Sequence, residues 1–183
     1  MLPYLDVPFS QELCARALSF AALAHGEQKT PTGLPYVVHV AAVTMEVMAA
    51  LRAEPGHDED LAVACALLHD VLEDTRTTRA ELEAEFGAGV AAGVAALTKN
   101  PAVAEAATMC DYLDRILCQL SEIAMVELAD RTTNLAPPPS QWSKSKIATY
   151  RAEAEMILNT LGSASGILAA RLRARLERYP GGE

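Results

Sequence analysis

The segment from residue 58 to 72 constrains the fold more than any other part of the sequence. Within it, LAVACALLHDVL is apolar on nearly every side of a helix. A helix that is apolar all round is normally enclosed by other elements of the protein. We therefore predict a central helix from about Asp58 to Leu72, packed on all sides by further helices.

The composition indicates that those surrounding elements are helices too. The chain is 51% hydrophobic but only 5% aromatic, and its apolar content is mainly Ala, Leu and Val. Ala and Leu are strong helix formers, whereas the aromatic residues that favour strands are scarce. We predict an all-α fold, a compact helical bundle formed by a single domain over residues 1–183.

Apolar periodicity and capping residues place the other helices. Ser10 is a candidate N-cap, and Thr78 with Glu81 has the spacing of a capping box. The segment from about Ala102 to Leu128 is either one long helix or two. The remaining predicted helices cover about residues 10–24, 36–51, 78–87, 87–97, 143–161 and 163–178.

Charge and hydropathy exclude several classes of protein. The net charge is −9, and a nucleic-acid-binding domain would normally present a basic face. No charge-free apolar run reaches the length of about 18 residues that predicts a membrane span. The amino terminus, MLPYLDVPFS, lacks the basic and apolar regions of a signal peptide. We expect a cytoplasmic protein that binds neither nucleic acid nor membrane, and leave its oligomeric state open.

The predicted central helix ends in a polar sequence, HDVLED, which an apolar core would not by itself require. Residues four apart share a helix face, so His69 would lie beside Glu73, and Asp70 beside Asp74. A buried charge without a partner costs several kcal/mol. Residues 55–75 contain no Lys or Arg. A metal ion or a basic side chain from another segment must therefore compensate these carboxylates.

Two other apolar segments carry matching ligand types. His39 lies in LPYVVHV, and Asp130 ends MVELAD with Asn134 one turn later. Together with His69 and Asp70 they would form a mixed nitrogen and oxygen site. Such a site suits Mn²⁺, Fe²⁺ or Zn²⁺ and leaves positions for water and substrate. The absence of a thiolate argues against a structural zinc site.

Each of these residues also has an ordinary structural explanation. His39 could be a hydrogen-bonded core histidine, and Glu73 and Asp74 could form a solvated helix end. Asp130 could pair with Arg131 or cap a turn. A single metal site would account for all of these residues together.

Four segments in order resemble a known family. They are AHGEQKTPTGLPYVVHV, ALLHDVLEDT, LTK and ELADRTTNL. They are similar to the HD-domain phosphohydrolases, and more narrowly to the hydrolase domain of RelA/SpoT-type alarmone enzymes. The resemblance runs from about residue 10 to 160. It implies an HD-domain helical bundle and a stand-alone small alarmone hydrolase, which would remove the 3′-diphosphate of guanosine 3′,5′-bis-diphosphate as pyrophosphate.

The resemblance also implies roles for individual residues. One divalent metal would be bound, Mn²⁺ first, with Zn²⁺, Ni²⁺ or Fe²⁺ as alternatives after purification. Glu73 and Asp74 would position or deprotonate the attacking water. The implied metal ligands are His39, His69, Asp70 and Asp130, and the implied contacts to a guanine nucleotide are Lys29, Asn134 and Tyr150.

Two departures from the family pattern concern the substrate more than the chemistry. Gln28 stands where the family usually has an Arg that helps to hold the nucleotide, and Glu127 replaces a usual Lys. A Gln supplies no fixed charge and stacks less well than an Arg. Two alternatives therefore stay open: hydrolysis of another nucleotide phosphate, such as the 2′-phosphate of NADPH or a 5′-nucleotide, and a non-catalytic nucleotide-binding module.

Overall fold

The computed structural model describes residues 9–181, except for the side chains of residues 105 and 106. These residues form α-helices and one 3₁₀ turn, with a single isolated β-bridge between Lys29 and Pro35 and no strand. The prediction of an all-α fold is confirmed. In chain order the helices are α1 (Gln11–His25), α2 (Val37–Ala53), α3 (Glu59–Leu68), α4 (Val71–Asp74), α5 (Arg79–Leu97), α6 (Glu105–Leu117), α7 (Ser121–Asn134), α8 (Lys144–Leu161) and α9 (Gly166–Leu176).

Helix α3 is the central element, as its composition predicts. Every residue from Ala62 to Leu68 is buried. The helix packs against α1, α2, α5 and α7. Burial of apolar surface contributes roughly 25 cal/mol per Å², so this enclosed helix stabilises the bundle from its centre.

Helix α7 is a second buried element and lies against α2, α3, α5 and α9. Its residues from Ile123 to Ala129 are buried. Gly93 of α5 allows close packing here, because a Cβ at this position would lie 2.5 Å from Ile123 Cδ1 and 2.9 Å from Cys65 Sγ. Helices α3, α5 and α7 are therefore closely packed in the core of the protein.

The predicted helix starts agree with the structure. The side chains of Ser10 and Asp58 accept hydrogen bonds from backbone N–H groups of the first turns of α1 and α3. Thr78 and Glu81 form the complete capping box at the start of α5. Gly87 separates the two predicted helical segments by a kink at φ 85°, a backbone conformation that glycine adopts without steric cost.

The structure corrects two predicted helix boundaries and decides one that was left open. The central helix does not run to Leu72 but ends at Leu68. The His69 ring lies 2.8 Å from the Ala66 carbonyl, which a continuing helix would offer to the N–H of Asp70. Asp70 is the N-cap of the separate one-turn helix α4. The helix predicted from Asp58 to Leu72 is therefore interrupted at His69 and Asp70. The segment from Ala102 to Leu128 is two helices, and the last helix begins at Gly166, where Ser165 is the N-cap.

Within residues 9–181, none of the helices combines the length and apolar character that a membrane crossing requires. Residues 1–8, on which the signal-peptide prediction largely rests, lie outside the described part of the chain.

Candidate metal site and substrate cleft

Three helices bring the four predicted metal ligands together. His39 projects from the first turn of α2, His69 and Asp70 form the junction between α3 and α4, and Asp130 lies near the end of α7. The Nε2 atoms of His39 and His69 are 3.3 Å apart. Asp130 Oδ1 is 3.0 Å from His39 Nε2 and 3.6 Å from His69 Nε2, while Asp70 Oδ2 is 2.9 Å from His69 Nε2.

The electrostatics of the four groups reflect their proximity in a buried place. Burial alone would lower the pKa of both histidines, but the carboxylates of Asp70 and Asp130 outweigh it. They raise the pKa of His39 to about 9 and that of His69 well above its ordinary value. Burial alone would raise the pKa of both carboxyl groups, but the imidazoles hold these pKa values well below their usual range. The four groups are therefore close enough for each imidazole to hydrogen-bond to a carboxylate.

The donor set fits a divalent cation. One ligand atom each from His39, His69 and Asp70 lies within 4.8 Å of the others, and Asp130 Oδ1 is close to both imidazoles. The His69 Nδ1 atom is engaged by the Ala66 carbonyl at 2.8 Å. A proton held on Nδ1 leaves the Nε2 lone pair free for a metal, as is usual for ligating histidines.

A cleft of about 230 Å³ opens beside these ligands, and its lining includes Glu73, Asp74 and Lys99. Both carboxylates are exposed to solvent. Glu73 accepts a hydrogen bond from the Lys99 backbone N–H at 3.0 Å. The cleft therefore presents two ionisable carboxylates next to the metal ligands, which is the arrangement required to orient or deprotonate a water.

Of the three predicted nucleotide contacts, two line the cleft. Asn134 lies on its wall and donates to Asp130 Oδ1 at 2.7 Å. Tyr150 of α8 also lines the cleft, and burial raises its pKa to about 12. Lys29 lies in the loop between α1 and α2, is exposed, and is not among the described residues that line the cleft.

Sequence reasoning missed the polar side chains that hold the ligands and the cleft carboxylates in place. Tyr36, three residues before His39, donates to Asp70 Oδ2. Gln28 Nε2 donates to Asp74 Oδ2 at 2.8 Å. The short spacing of Tyr36 and His39 in LPYVVHV was a usable signal, since both lie near the start of α2. The contact between Gln28 and Asp74 crosses 46 residues and had no signal in the sequence.

A buried polar cluster at the inner wall of the cleft was also missed. Glu127 accepts a hydrogen bond from the Tyr112 hydroxyl and lies 3.9 Å from the Arg131 guanidinium. Burial raises the pKa of Glu127 to about 7, although Arg131 opposes this. Arg131 also reaches Glu153 at 3.6 Å and lies over the Tyr150 ring. The described ion pairs of Arg131 are therefore with glutamates rather than with Asp130.

Comparison with known families identifies the family of the chain. The sequence profile described as "HD domain" matches residues 17–168, most of the chain. The chain belongs to the HD-domain family. In this HD-domain protein, all four ligand positions fall inside the matched region.

Named relatives of this HD-domain protein differ widely in length. The guanosine-3′,5′-bis(diphosphate) 3′-pyrophosphohydrolase MESH1 of Danio rerio is 30% identical over 171 residues, which cover 90% of this chain and 92% of that protein. The guanosine-3′,5′-bis(diphosphate) 3′-pyrophosphohydrolase of Aquifex aeolicus is 35% identical over 131 residues, 70% of this chain. The matched region is only 18% of the Aquifex protein, so the chain corresponds to a small part of such longer relatives.

A solved structure agrees with the fold of this HD-domain protein. It is described as a metazoan orthologue of SpoT that hydrolyses ppGpp and has a role in starvation responses. It superposes with a TM-score of 0.79 at 23% identity, covering 94% of this chain and 98% of that one.

Proposed function

We propose that this protein is a metal-dependent hydrolase that removes the 3′-diphosphate of guanosine 3′,5′-bis-diphosphate nucleotides as pyrophosphate. The observation that carries the proposal is the convergence of His39, His69, Asp70 and Asp130 beside a cleft that contains Glu73 and Asp74. The activity named for the relative of similar length, MESH1, supports the same reaction and substrate.

The four converging side chains would hold one divalent cation. Two imidazole nitrogens and two carboxylate oxygens form a mixed donor set of the kind that binds Mn²⁺, Fe²⁺ or Zn²⁺, and we propose Mn²⁺. When bound, such a cation polarises a phosphoryl oxygen and lowers the pKa of a water molecule.

The remaining chemistry belongs to side chains of the cleft. Hydrolysis at the 3′ position adds water to phosphorus and breaks the bond to the ribose 3′ oxygen, which leaves with a proton. Glu73 and Asp74 are the carboxylates placed to orient the water and accept its proton. Lys99 lines the same cleft, and Lys29 lies on a neighbouring loop. In this proposal Lys99, together with Lys29 from outside the described lining of the cleft, offsets charge on the diphosphate groups.

The nucleotide itself would lie against Asn134 at the end of α7 and Tyr150 in the second turn of α8. Asn134 offers an amide and Tyr150 an aromatic ring at the cleft wall. We assign the nucleoside end of the substrate to these two side chains, because an amide and a ring can contact a base or sugar without adding charge.

The deciding experiment is turnover by protein stripped of metal and reloaded with Mn²⁺. Guanosine 3′,5′-bis-diphosphate is supplied, and GDP and pyrophosphate are measured together. The expected result is equal release of both products by wild type and none by Asp70→Ala. Asp114→Ala serves as the matched control, since Asp114 is exposed on α6 and away from the ligands. Absence of pyrophosphate from a demonstrably Mn²⁺-loaded wild type would refute the proposal.

One observation favours a second substrate class. The Gln28 side chain hydrogen-bonds to Asp74 and brings no positive charge to the place where the family pattern has Arg. Another nucleotide phosphate, such as the 2′-phosphate of NADPH or a 5′-nucleotide, is therefore the alternative substrate. A panel of these nucleotides, with phosphate and pyrophosphate measured separately, distinguishes the two. Dominant pyrophosphate release from the guanosine alarmone would exclude the alternative.

A further inference from the structure

A chain of hydrogen bonds leads from the core of the protein to Asp74. Gln28 Nε2 donates to Asp74 Oδ2 at 2.8 Å, and Gln28 Oε1 lies 2.8 Å from His25 Nδ1. His25 is only 5% exposed, whereas Asp74 lies at the solvent-exposed side of the cleft. The buried ring thus anchors an amide, and the amide in turn contacts an exposed carboxylate.

Asp74 needs such an anchor. It ends the one-turn helix α4, and among the hydrogen bonds of residues 9–181 its carboxylate has Gln28 as its side-chain partner. An exposed carboxylate without fixed partners samples several rotamers. Displacement of a reacting group by about 1 Å can lower a rate roughly a hundredfold. Loss of the contact that orients the Asp74 carboxylate should therefore lower the turnover rate measurably.

The loop that carries Gln28 is itself well held. The Gln28 N–H donates to the His25 carbonyl at 2.9 Å, and the Gln28 carbonyl accepts from Tyr36 N–H at 3.0 Å. The His25 ring also stacks on Tyr36, with ring centroids 4.6 Å apart. Tyr36 donates to the proposed metal ligand Asp70. These residues thus hold two carboxylates in fixed positions, that of Asp74 in the cleft and that of the proposed ligand Asp70.

We infer that His25 and Gln28 are positioning residues, which orient Asp74 for the proposed hydrolysis and do not contact the nucleotide. The inference rests on the proposed function, because it assigns Asp74 a part in catalysis. It gives the Gln28 side chain a structural use, because an amide has both the donor for Asp74 and the acceptor for His25.

The geometry also determines where the hydrogen atoms lie along the hydrogen-bonded chain His25–Gln28–Asp74, which we call the relay. A carboxylate only accepts, so the Gln28 amide nitrogen must face Asp74 and its oxygen must face His25. An amide oxygen only accepts too, which requires a hydrogen on His25 Nδ1. His25 Nε2 is buried without a hydrogen-bond partner in the described structure, as fits the unprotonated nitrogen of a neutral ring. The inference therefore requires the Nδ1–H tautomer of His25.

The first test is spectroscopic and needs no turnover. In ¹⁵N-histidine-labelled wild type, His25 is expected in the Nδ1–H tautomer. In Gln28→Ala this preference should be lost, and in the neighbouring exposed control Glu27→Ala it should persist. An Nε2–H tautomer of His25 in wild type would refute the relay. An Nδ1–H preference that persists in Gln28→Ala would refute it as well.

The second test is a double-mutant cycle on Mn²⁺-loaded protein under single-turnover and steady-state conditions. Gln28→Ala should lower kcat roughly tenfold to a hundredfold, the range for residues that orient an active-site group, with KM little changed. The same substitution should have no further effect in an Asp74→Ala background, because Gln28 acts through Asp74. A full effect in that background, or an effect mainly on KM, would show direct contact with substrate and refute the inference.

His25 is tested by a shape-conserving change. His25→Phe keeps a ring against Tyr36 but removes the Nδ1 donor. It should lower kcat in the wild-type background and have no effect on top of Gln28→Ala. If wild type has no turnover, the proposed function fails, and the tautomer experiment alone decides whether the relay exists.

Discussion

The buried carboxyl group of Glu127 should make the protein less stable as the pH rises. Glu127 is only 3% exposed, and burial raises its pKa from an ordinary value of 4.5 to about 7. Between these two pH values the folded protein holds a proton that the unfolded chain has released. The stabilising contribution is therefore fully present below pH 4.5 and is lost as the pH rises through 7. The difference between the two pKa values corresponds to about 3 kcal/mol.

Glu127→Gln should remove this pH dependence. A glutamine has the shape of the protonated acid and retains an acceptor for the Tyr112 hydroxyl. We expect the variant to match wild type near pH 4.5 and to exceed it in free energy of unfolding by about 3 kcal/mol at pH 8.5. The measurement is urea denaturation of both proteins at the two pH values, with a chelator present so that metal binding does not contribute.

The comparison with wild type isolates Glu127, because all other titrating groups are common to both proteins. Glu83→Gln, an exposed glutamate of α5, is the matched control and should follow the wild-type pH dependence. If Glu127→Gln and wild type lose stability in parallel between pH 4.5 and 8.5, then Glu127 ionises normally and the reasoning is wrong.

Three further outcomes are expected. Mn²⁺ affinity should rise with pH up to about 9, because the metal-free protein holds a proton on His39 that the cation must displace. Isothermal titration calorimetry at pH 6, 7 and 8 measures this affinity, and an affinity that does not change with pH would contradict the expectation. Gly93→Ala should lower the free energy of unfolding by about 1–3 kcal/mol through overlap with Ile123 and Cys65, which denaturant unfolding measures. Leu68→Ala should cost about 2–5 kcal/mol at a fully buried position, and a smaller loss would mean that the core closes around the cavity.

The sequence was sufficient for the elements whose cause is local. The apolar composition of α3 predicts its central position, and the spacing of Thr78 and Glu81 predicts a capping box that the structure contains. The end of α3 could not be predicted in this way. It depends on the His69 ring and the Ala66 carbonyl, a contact that a purely apolar pattern does not reveal.

The four side chains that converge at the candidate site were predictable from the sequence, but the groups that support them were not. His39, His69, Asp70 and Asp130 lie near ends of apolar helices, where ionisable residues are unexpected and therefore informative. Gln28 pairs with Asp74, 46 residues away, and Glu127 pairs with Tyr112 of the preceding helix and with Arg131 one turn later. Their departures from the family pattern were visible in the sequence, but the contacts that replace the usual Arg and Lys follow only from the packed structure.

The separation of the ligands along the chain also determines when a cation can bind during folding. Only His69 and Asp70 are neighbours in sequence, while His39 and Asp130 come from helices α2 and α7. The full donor set therefore exists only after α2, α3 and α7 have packed together, and the unfolded chain offers no comparable chelate. A paramagnetic ion such as Mn²⁺ would then act as a reporter of tertiary structure. Immobilisation of the ion would mark the packing of α2, α3 and α7 against one another, and its release would mark their separation.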